Sequence, residues 1–314
     1  MNKLLRSRAT AALAVGVLGA GVLPGLAYGA TTTTTTSSAA CGISAGSITA
    51  AGDHRIQSFV ATRPITRTEN RFVARGIHPA GQAKLTSSWI HGPAEEGNSI
   101  GHDGNVVLGT VLYESGYLVP RGGGTPHKYQ TRIGGGWGAF KSLEHSEVLL
   151  SSTSLRQNEY GLRTDGTLQR WNRGSDSLGR PVWRASGSAP GFSAVKTMAL
   201  ISQTKTYDTF LVNTRGGALY TVRIPTVSPM KPVVKKVRAA TWQGFETMIA
   251  ARCGAAGTLL LGIDKDTGSG YLYAMGHANG TATVIQGLGK VPGTFTDSLD
   301  FAWHGYSDPK LFGE

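Results

Sequence analysis

The strongest constraint on this chain is a repeat of about fifty residues, the scale of one small sheet copied in tandem. Phe140, Phe192, Phe245 and Phe295 stand 52, 53 and 50 residues apart, each behind small or turn-forming residues such as Ala189-Pro190-Gly191 and Pro292-Gly293-Thr294. A second marker keeps the same beat. It is a turn followed by a strand start: E-S-G-Y-L-V from Glu114, T-D-G-T-L-Q-R-W from Thr164, T-R-G-G-A-L-Y from Thr214 and D-T-G-S-G-Y-L-Y from Asp266. Its leucines, Leu118, Leu168, Leu219 and Leu272, are 50, 51 and 53 apart. A poorer copy from Gly52-Asp53-His54-Arg55-Ile56 to Leu85 brings the number of units to five.

Asp-Gly and Gly-Gly pairs are hairpin turns, and four short strands with their turns fill a repeat of this length. No stretch sustains a helical period, and 44 glycines with 13 prolines disfavour long helices. The expected fold is therefore all-β: a five-bladed β-propeller of four-stranded antiparallel blades, one domain over 41–314. Ile43 to Val60 reads as a hairpin, and Arg71–Ala74 and Lys84–Ile90 as short strands. Gly92 to Asn105 reads as a loop. The apolar run Val106 to Tyr113 reads as one inner strand buried on both faces, with Tyr160–Arg163, Thr209–Val212 and Leu259–Ile263 as its counterparts.

Lys3, Arg6 and Arg8 precede an apolar run from Ala11 to Val22, with small residues at Ala27 and Gly29. This is the pattern of a secretory signal peptide over 1–29, and the run is too short to span a bilayer. The mature chain is expected outside the cell, with no membrane span. The Thr/Ser-rich stretch 30–40 cannot bury surface and is expected to be a flexible segment. In an exported protein Cys41 and Cys253 are expected to pair as a disulfide. Each lies at the start of an outermost unit, so the bond would fasten the seam of a closed ring.

The chain carries 31 lysines and arginines against 19 acids, a net charge of +12. Three of the basic residues belong to the leader, and the remaining excess suits anionic surfaces such as cell-wall polymers. Apart from Lys235-Lys236 the charges are scattered, and no basic stripe interleaves with aromatics, so nucleic acid is not an expected partner.

Ile133-Gly134-Gly135-Gly136-Trp137-Gly138-Ala139-Phe140-Lys141-Ser142-Leu143, followed by Asp165-Gly166-Thr167-Leu168, resembles the tachylectin-2 type of five-bladed propeller lectin and its bacterial relatives. The resemblance covers the repeat region in count and spacing, and its signature is specific in one unit. It implies a lectin that holds N-acetylated hexosamines in shallow sites between neighbouring blades. At the positions of Gly135-Gly136-Trp137 the other units carry Ser188-Ala189-Pro190, Ala240-Thr241-Trp242 and Lys290-Val291-Pro292. If sugar sites depend on that segment, this chain has fewer of them.

A sugar ring has apolar faces and polar rims, so its site needs a flat aromatic surface beside fixed hydrogen-bonding groups. The candidates are Gly136, Trp137, Phe140 and Trp242 for the surface and its approach, with Asp165 and Asn213 as polar partners. The competing readings are that these aromatics pack between sheets and that the polar pair caps turns.

Other motifs lack their context. Gly42-Ile43-Ser44-Ala45-Gly46 fits a nucleophile elbow, yet no helix follows it. Ser193-Ala194-Val195-Lys196 sits in a repeat strand, and Asp264-Lys265-Asp266 lacks the closing glutamate of a calcium loop. No histidine pair has zinc spacing, and no cofactor is expected. An enzyme would need carboxylates gathered on a central cavity, for which Asp53, Asp208 and Asp297 are candidates. The expectation is a non-catalytic lectin whose partners are surface glycans. The alternative is an interaction subunit of a secreted complex with eroded sugar sites.

Overall fold

Runs of valine, isoleucine, leucine and threonine bounded by glycine turns fold into strands throughout. The computed structural model describes residues 40–178 and 181–314. The expected signal peptide and residues 30–39 of the Thr/Ser-rich segment lie outside the described residues.

The strands form one eight-stranded and three four-stranded sheets. The chain opens with β1 (Gly42–Ile48), β2 (His54–Val60) and β3 (Thr66–Ala74). Four consecutive antiparallel groups follow. They are β4 (Ala83–Pro93), β5 (Ser99–Leu108), β6 (Val111–Pro120) and β7 (His127–Gly134); β8 (Phe140–Ser151), β9 (Ser154–Arg163), β10 (Leu168–Ser175) and β11 (Pro181–Ala189); β12 (Val195–Gln203), β13 (Tyr207–Thr214), β14 (Leu219–Pro225) and β15 (Val233–Arg238); and β16 (Thr247–Cys253), β17 (Gly257–Asp264), β18 (Ser269–Met275) and β19 (Ile285–Lys290). The last strand, β20 (Leu299–Gly305), returns to pair antiparallel with β1 and completes the first group. It also pairs in parallel with β4, Trp303–Gly305 against Trp89–His91, which merges the first and second groups into the eight-stranded sheet.

The leading strands of the groups lie side by side in a circuit. β4 contacts β8, β8 contacts β12, β12 contacts β16, β16 contacts β20, and β20 pairs with β4. They border a central cavity of about 360 Å³. Among the described residues no helix is long and apolar enough to cross a membrane.

One backbone bond recurs in every unit. The amide that leads into the next unit donates to the middle hairpin turn of the unit before it: Ile77 to Gly52 at 3.0 Å, Trp137 to Thr110 at 3.0 Å, Phe192 to Gly166 at 2.9 Å, Trp242 to Gly217 at 3.0 Å and Phe295 to Gly268 at 3.0 Å. The turn needs left-handed backbone, with φ of 88° at both Gly166 and Gly217. A Cβ on Gly166 would meet the Ser193 amide nitrogen at 2.3 Å. Three of the marker phenylalanines also lie on strand glycines, where a Cβ would approach the ring to 2.7 Å at Gly161 under Phe140, 2.9 Å at Gly262 under Phe245 and 2.5 Å at Gly270 under Phe295. The fifty-residue rhythm is the spacing of this joint.

The second unit departs from the expected boundaries. Its middle turn is Gly109-Thr110, with Gly109 at φ 60°, so the run Val106 to Tyr113 is a hairpin and not one strand. Glu114 to Val119 lies inside β6. Gly116 is a strand glycine there, because the Tyr129 ring occupies the space a Cβ would need, 2.3 Å away. Gly92 to Asn105 is mostly strand as well. Gly104 reads as a loop residue but sits under the Trp89 indole, where a Cβ would be 2.6 Å from the ring. Gly42 to Gly46 belongs to β1, which rules out an elbow.

Cys41 and Cys253 form the disulfide, with Cα atoms 5.4 Å apart. It joins the first and fifth units as expected, although Cys253 ends β16 instead of opening its unit. At the other end of β1, Asp297, in the link before β20, accepts from Ser47 at 2.6 Å and from Arg55 at 3.1 Å, which ties that link to the first unit.

Candidate functional site

Alternate residues of a strand point to one face, so every second residue of facing strands meets across a cleft. Between the second and third units these are Leu112 and Glu114 of β6, Thr131 and Ile133 of β7, Gln157 and Glu159 of β9, and Gln169, Trp171 and Arg173 of β10. They border two pockets in succession, of about 340 Å³ and 350 Å³, with Trp183 of β11 bordering both. Between the pockets Arg173 grips Glu114 through two bonds of 2.8 and 3.2 Å. The Trp183 indole N–H donates to the same carboxylate at 2.9 Å. Arg173 also donates to Gln157 at 3.1 Å, which extends the polar seam along β9.

The first pocket begins at the segment singled out from sequence. Gly136, at φ 88°, turns the chain into one turn of 3-10 helix over Trp137–Ala139. That turn lays Trp137 against Phe140 and Trp171, with ring centroids 4.7 and 4.8 Å away. Trp137 is 6% exposed, so it builds the wall more than it faces solvent, while Trp171, Phe140 and Trp183 keep part of their surface. The Arg163 guanidinium stands 5.3 Å over the Phe140 ring.

Glu159 borders the same pocket and is 1% exposed. Its Oε2 accepts from Asn105 at 2.6 Å and pairs with His145 Nδ1 at 3.0 Å. Among the described residues its Oε1 has no partner. A buried carboxylate oxygen left unpaired costs free energy until a donor reaches it, so a hydroxyl or amide N–H entering the pocket would gain a strong bond.

The six residues expected to bind sugar divide into two groups. Gly136, Trp137 and Phe140 meet at this pocket. Asp165 stands in an exposed turn just beyond it, where it accepts from the Thr167 amide at 2.8 Å and from Arg163 at 3.0 Å. These two bonds, the amide first, hold its carboxyl below the usual range. Asn213 and Trp242 lie between the fourth and fifth units. Asn213 is fully buried and its groups are all engaged: Nδ2 donates to the carbonyls of Trp242 and Phe245, each at 2.8 Å, and Oδ1 accepts from the Thr197 amide at 3.0 Å. It clamps backbone, and Trp242 is buried against Tyr273 and Phe245.

Sequence reasoning missed Trp171, Trp183, Glu159, Glu114 and Arg173. The alternation Gln169, Trp171, Arg173 was a usable signal for a polar and aromatic strand face. The unpaired Glu159 had none.

Three of the solved structures to which this one is similar can be set beside it. They are the WD40 domain of SCAP from fission yeast (8% identity, 77% of this chain and 68% of that one, TM-score 0.38), the fucose-specific lectin from Aleuria aurantia in a Hg-derivative form (12%, 83% and 80%, 0.43), and a variant of that lectin in complex with Fucalpha1-6GlcNAc (13%, 82% and 81%, 0.43). No family model and no curated protein matches the chain.

The central cavity offers different chemistry. Asp53, Asp208 and Asp297 do not border it. Its carboxylates are Glu144, Glu147, Glu246, Asp300 and Asp308. Lysines neutralise three of them: Lys196 pairs with Glu246, Lys265 with Asp300, and Lys310 with Glu147 at 3.5 Å. Asp308 accepts from the Gly305 amide at 2.7 Å. Burial pushes Asp300 up to about 6 against the pull of Lys265. Among the described residues Glu144 has no cation partner, only a long bond from the Leu200 amide at 3.4 Å, and burial pushes it up to about 8. It is therefore mostly protonated at neutral pH. Asp264 caps its own turn through the Thr267 amide, and among the described residues no cluster of three acids, histidines or cysteines could hold a metal ion.

Proposed function

We propose that this chain is an exported, non-catalytic carbohydrate-binding protein, a five-bladed β-propeller of the tachylectin-2 type. It holds glycans bearing N-acetylhexosamine in the cleft between its second and third units. The observation that carries this reading is the first pocket, bordered by Trp137, Phe140 and Trp171 together with Glu159, whose Oε1 has no partner among the described residues. The wall matches the C–H face of a pyranose, and the carboxylate matches a ring hydroxyl or acetamido N–H. Gln169 and Arg163 border the same pocket and supply further polar partners.

A glycan array probed with the wild type and with Trp171→Ala tests the reading. Hits on N-acetylhexosamine glycans that vanish in the variant support it, and an empty array overturns it. A second reading, docking to another secreted protein, is favoured by the β8–β9 hairpin, which exposes Leu149, Leu150 and Leu155. It would show as a co-purifying partner lost when these leucines become serine.

A further inference from the structure

The second pocket of the cleft has a feature that sheet packing does not require. Tyr129 and Tyr306 are 43% and 57% exposed, yet both are tied in place at two points. Both hydroxyls donate to one carboxylate, Asp103: Tyr129 to Oδ1, and Tyr306 to Oδ2 at 3.1 Å. Both rings are also seated on glycine. A Cβ on Gly116 would lie 2.3 Å from Tyr129 Cζ, and a Cβ on Gly92 would lie 2.0 Å from Tyr306 Cδ2. An exposed tyrosine ordinarily samples several rotamers, and fixing it on binding costs free energy. Here that cost is already met on folding.

The pocket also holds a waiting polar group. Ser87 is 2% exposed, and its Oγ has no partner among the described residues. Trp183 borders this pocket and the first, so the two lie in succession along one cleft. We propose that the Tyr129–Tyr306 pair is a second pyranose subsite, so that the cleft reads an extended oligosaccharide and not a single terminal sugar. The proposal rests on the glycan reading of the first pocket. The two rings offer apolar faces to successive C–H faces of a sugar chain, while Ser87, Gln157 and Glu147 border the polar side. Arg173 and Glu114, locked to each other at 2.8 Å, form the sill over which the chain passes.

Calorimetric titration with N-acetylglucosamine and its chitin-type di- to tetrasaccharides tests this. The tetrasaccharide is expected to bind about tenfold tighter than the monosaccharide, the size of one good aromatic contact. Tyr129→Ala should erase most of that gain and leave monosaccharide binding unchanged, with thermal melting to show that the variant is folded. Tyr129→Phe, which keeps the ring and loses the bond to Asp103, should lose only part of it. Equal affinity at all lengths, or a gain that survives Tyr129→Ala, overturns the second subsite and leaves the first pocket standing. No binding at any length overturns both.

Discussion

The indole N–H of Trp183, in the last strand of the third unit, donates at 2.9 Å to Glu114, in the middle of a strand of the second. That bond and the Arg173–Glu114 pair span the cleft and hold its two walls at one separation. Arg173 and Glu114 remain 35% and 25% exposed, so solvent screens them and their share of stability is small, below about 1 kcal/mol. Glu114→Ala should thus barely move the melting temperature while weakening glycan binding in both pockets, as thermal melts and titrations on the same sample would show.

How much of this could be read from the chain depends on the range of the interactions. The phenylalanine rhythm was legible because each marker stands at, or three residues after, the amide of a joint that recurs once per unit, such as that of Phe192 with Gly166. Gly116 misled because a turn glycine and a strand glycine look alike until the ring that needs the space, Tyr129, is folded over it. Asn213 precedes Thr214-Arg215-Gly216-Gly217 and so resembles an exposed turn residue. One strand position decides its fate, since β13 pairs Asn213 with Leu219 and turns its side chain inward. Trp183 and Glu114 are 69 residues apart and meet only after two sheets face each other, which no local pattern records.

The junction of the third and fourth units rests on one buried acid. Asp208, fully buried, accepts from Ser146 at 2.7 Å, Arg156 at 2.6 and 2.8 Å, Asn158 at 3.2 Å and Tyr160 at 2.7 Å. Removing it strands the Arg156 guanidinium, whose side chain is 9% exposed. Asp208→Ala should cost about 3–5 kcal/mol in denaturant unfolding.

Stability should fall at both ends of the pH range. His54, His78 and His102 are buried at the β20–β4 side, and burial lowers all three, His78 to about 4 and His102 to about 3. Neighbouring His78 and His102 lower His54 further, Lys128 adds to the effect at His78, and His91 and Arg71 add to it at His102. The unfolded chain binds protons from about 6.5, the folded one only near the lowered values. Stability is therefore intact above 6.5 and is lost as pH falls towards 3. Glu144 works in the opposite sense. Its folded value of about 8 lies above the ordinary 4.5, so its contribution is full below 4.5 and is lost as pH rises through 8. Melting curves across pH should show a shallower acid limb in His102→Phe and a shallower alkaline limb in Glu144→Gln.

The Cys41–Cys253 bond closes a loop with a sequence separation of 212 and fastens the first unit to the fifth. Reduction, or Cys41→Ser with Cys253→Ser, should lower unfolding free energy by about 2–5 kcal/mol, measured by denaturant titration. The folded sheets should persist at low denaturant, because β20 still pairs with β1 and with β4.

The six tryptophans of the chain divide cleanly, which makes their indole N–H resonances the most direct probe of where a glycan sits. Trp137, Trp171 and Trp183 border the cleft, while Trp89, Trp242 and Trp303 are buried elsewhere. Titration with an N-acetylglucosamine oligomer should shift the three cleft signals and leave the other three in place. Shifts at Trp89, Trp242 or Trp303 instead, or six unmoved signals at saturating oligomer, would contradict a glycan site between the second and third units.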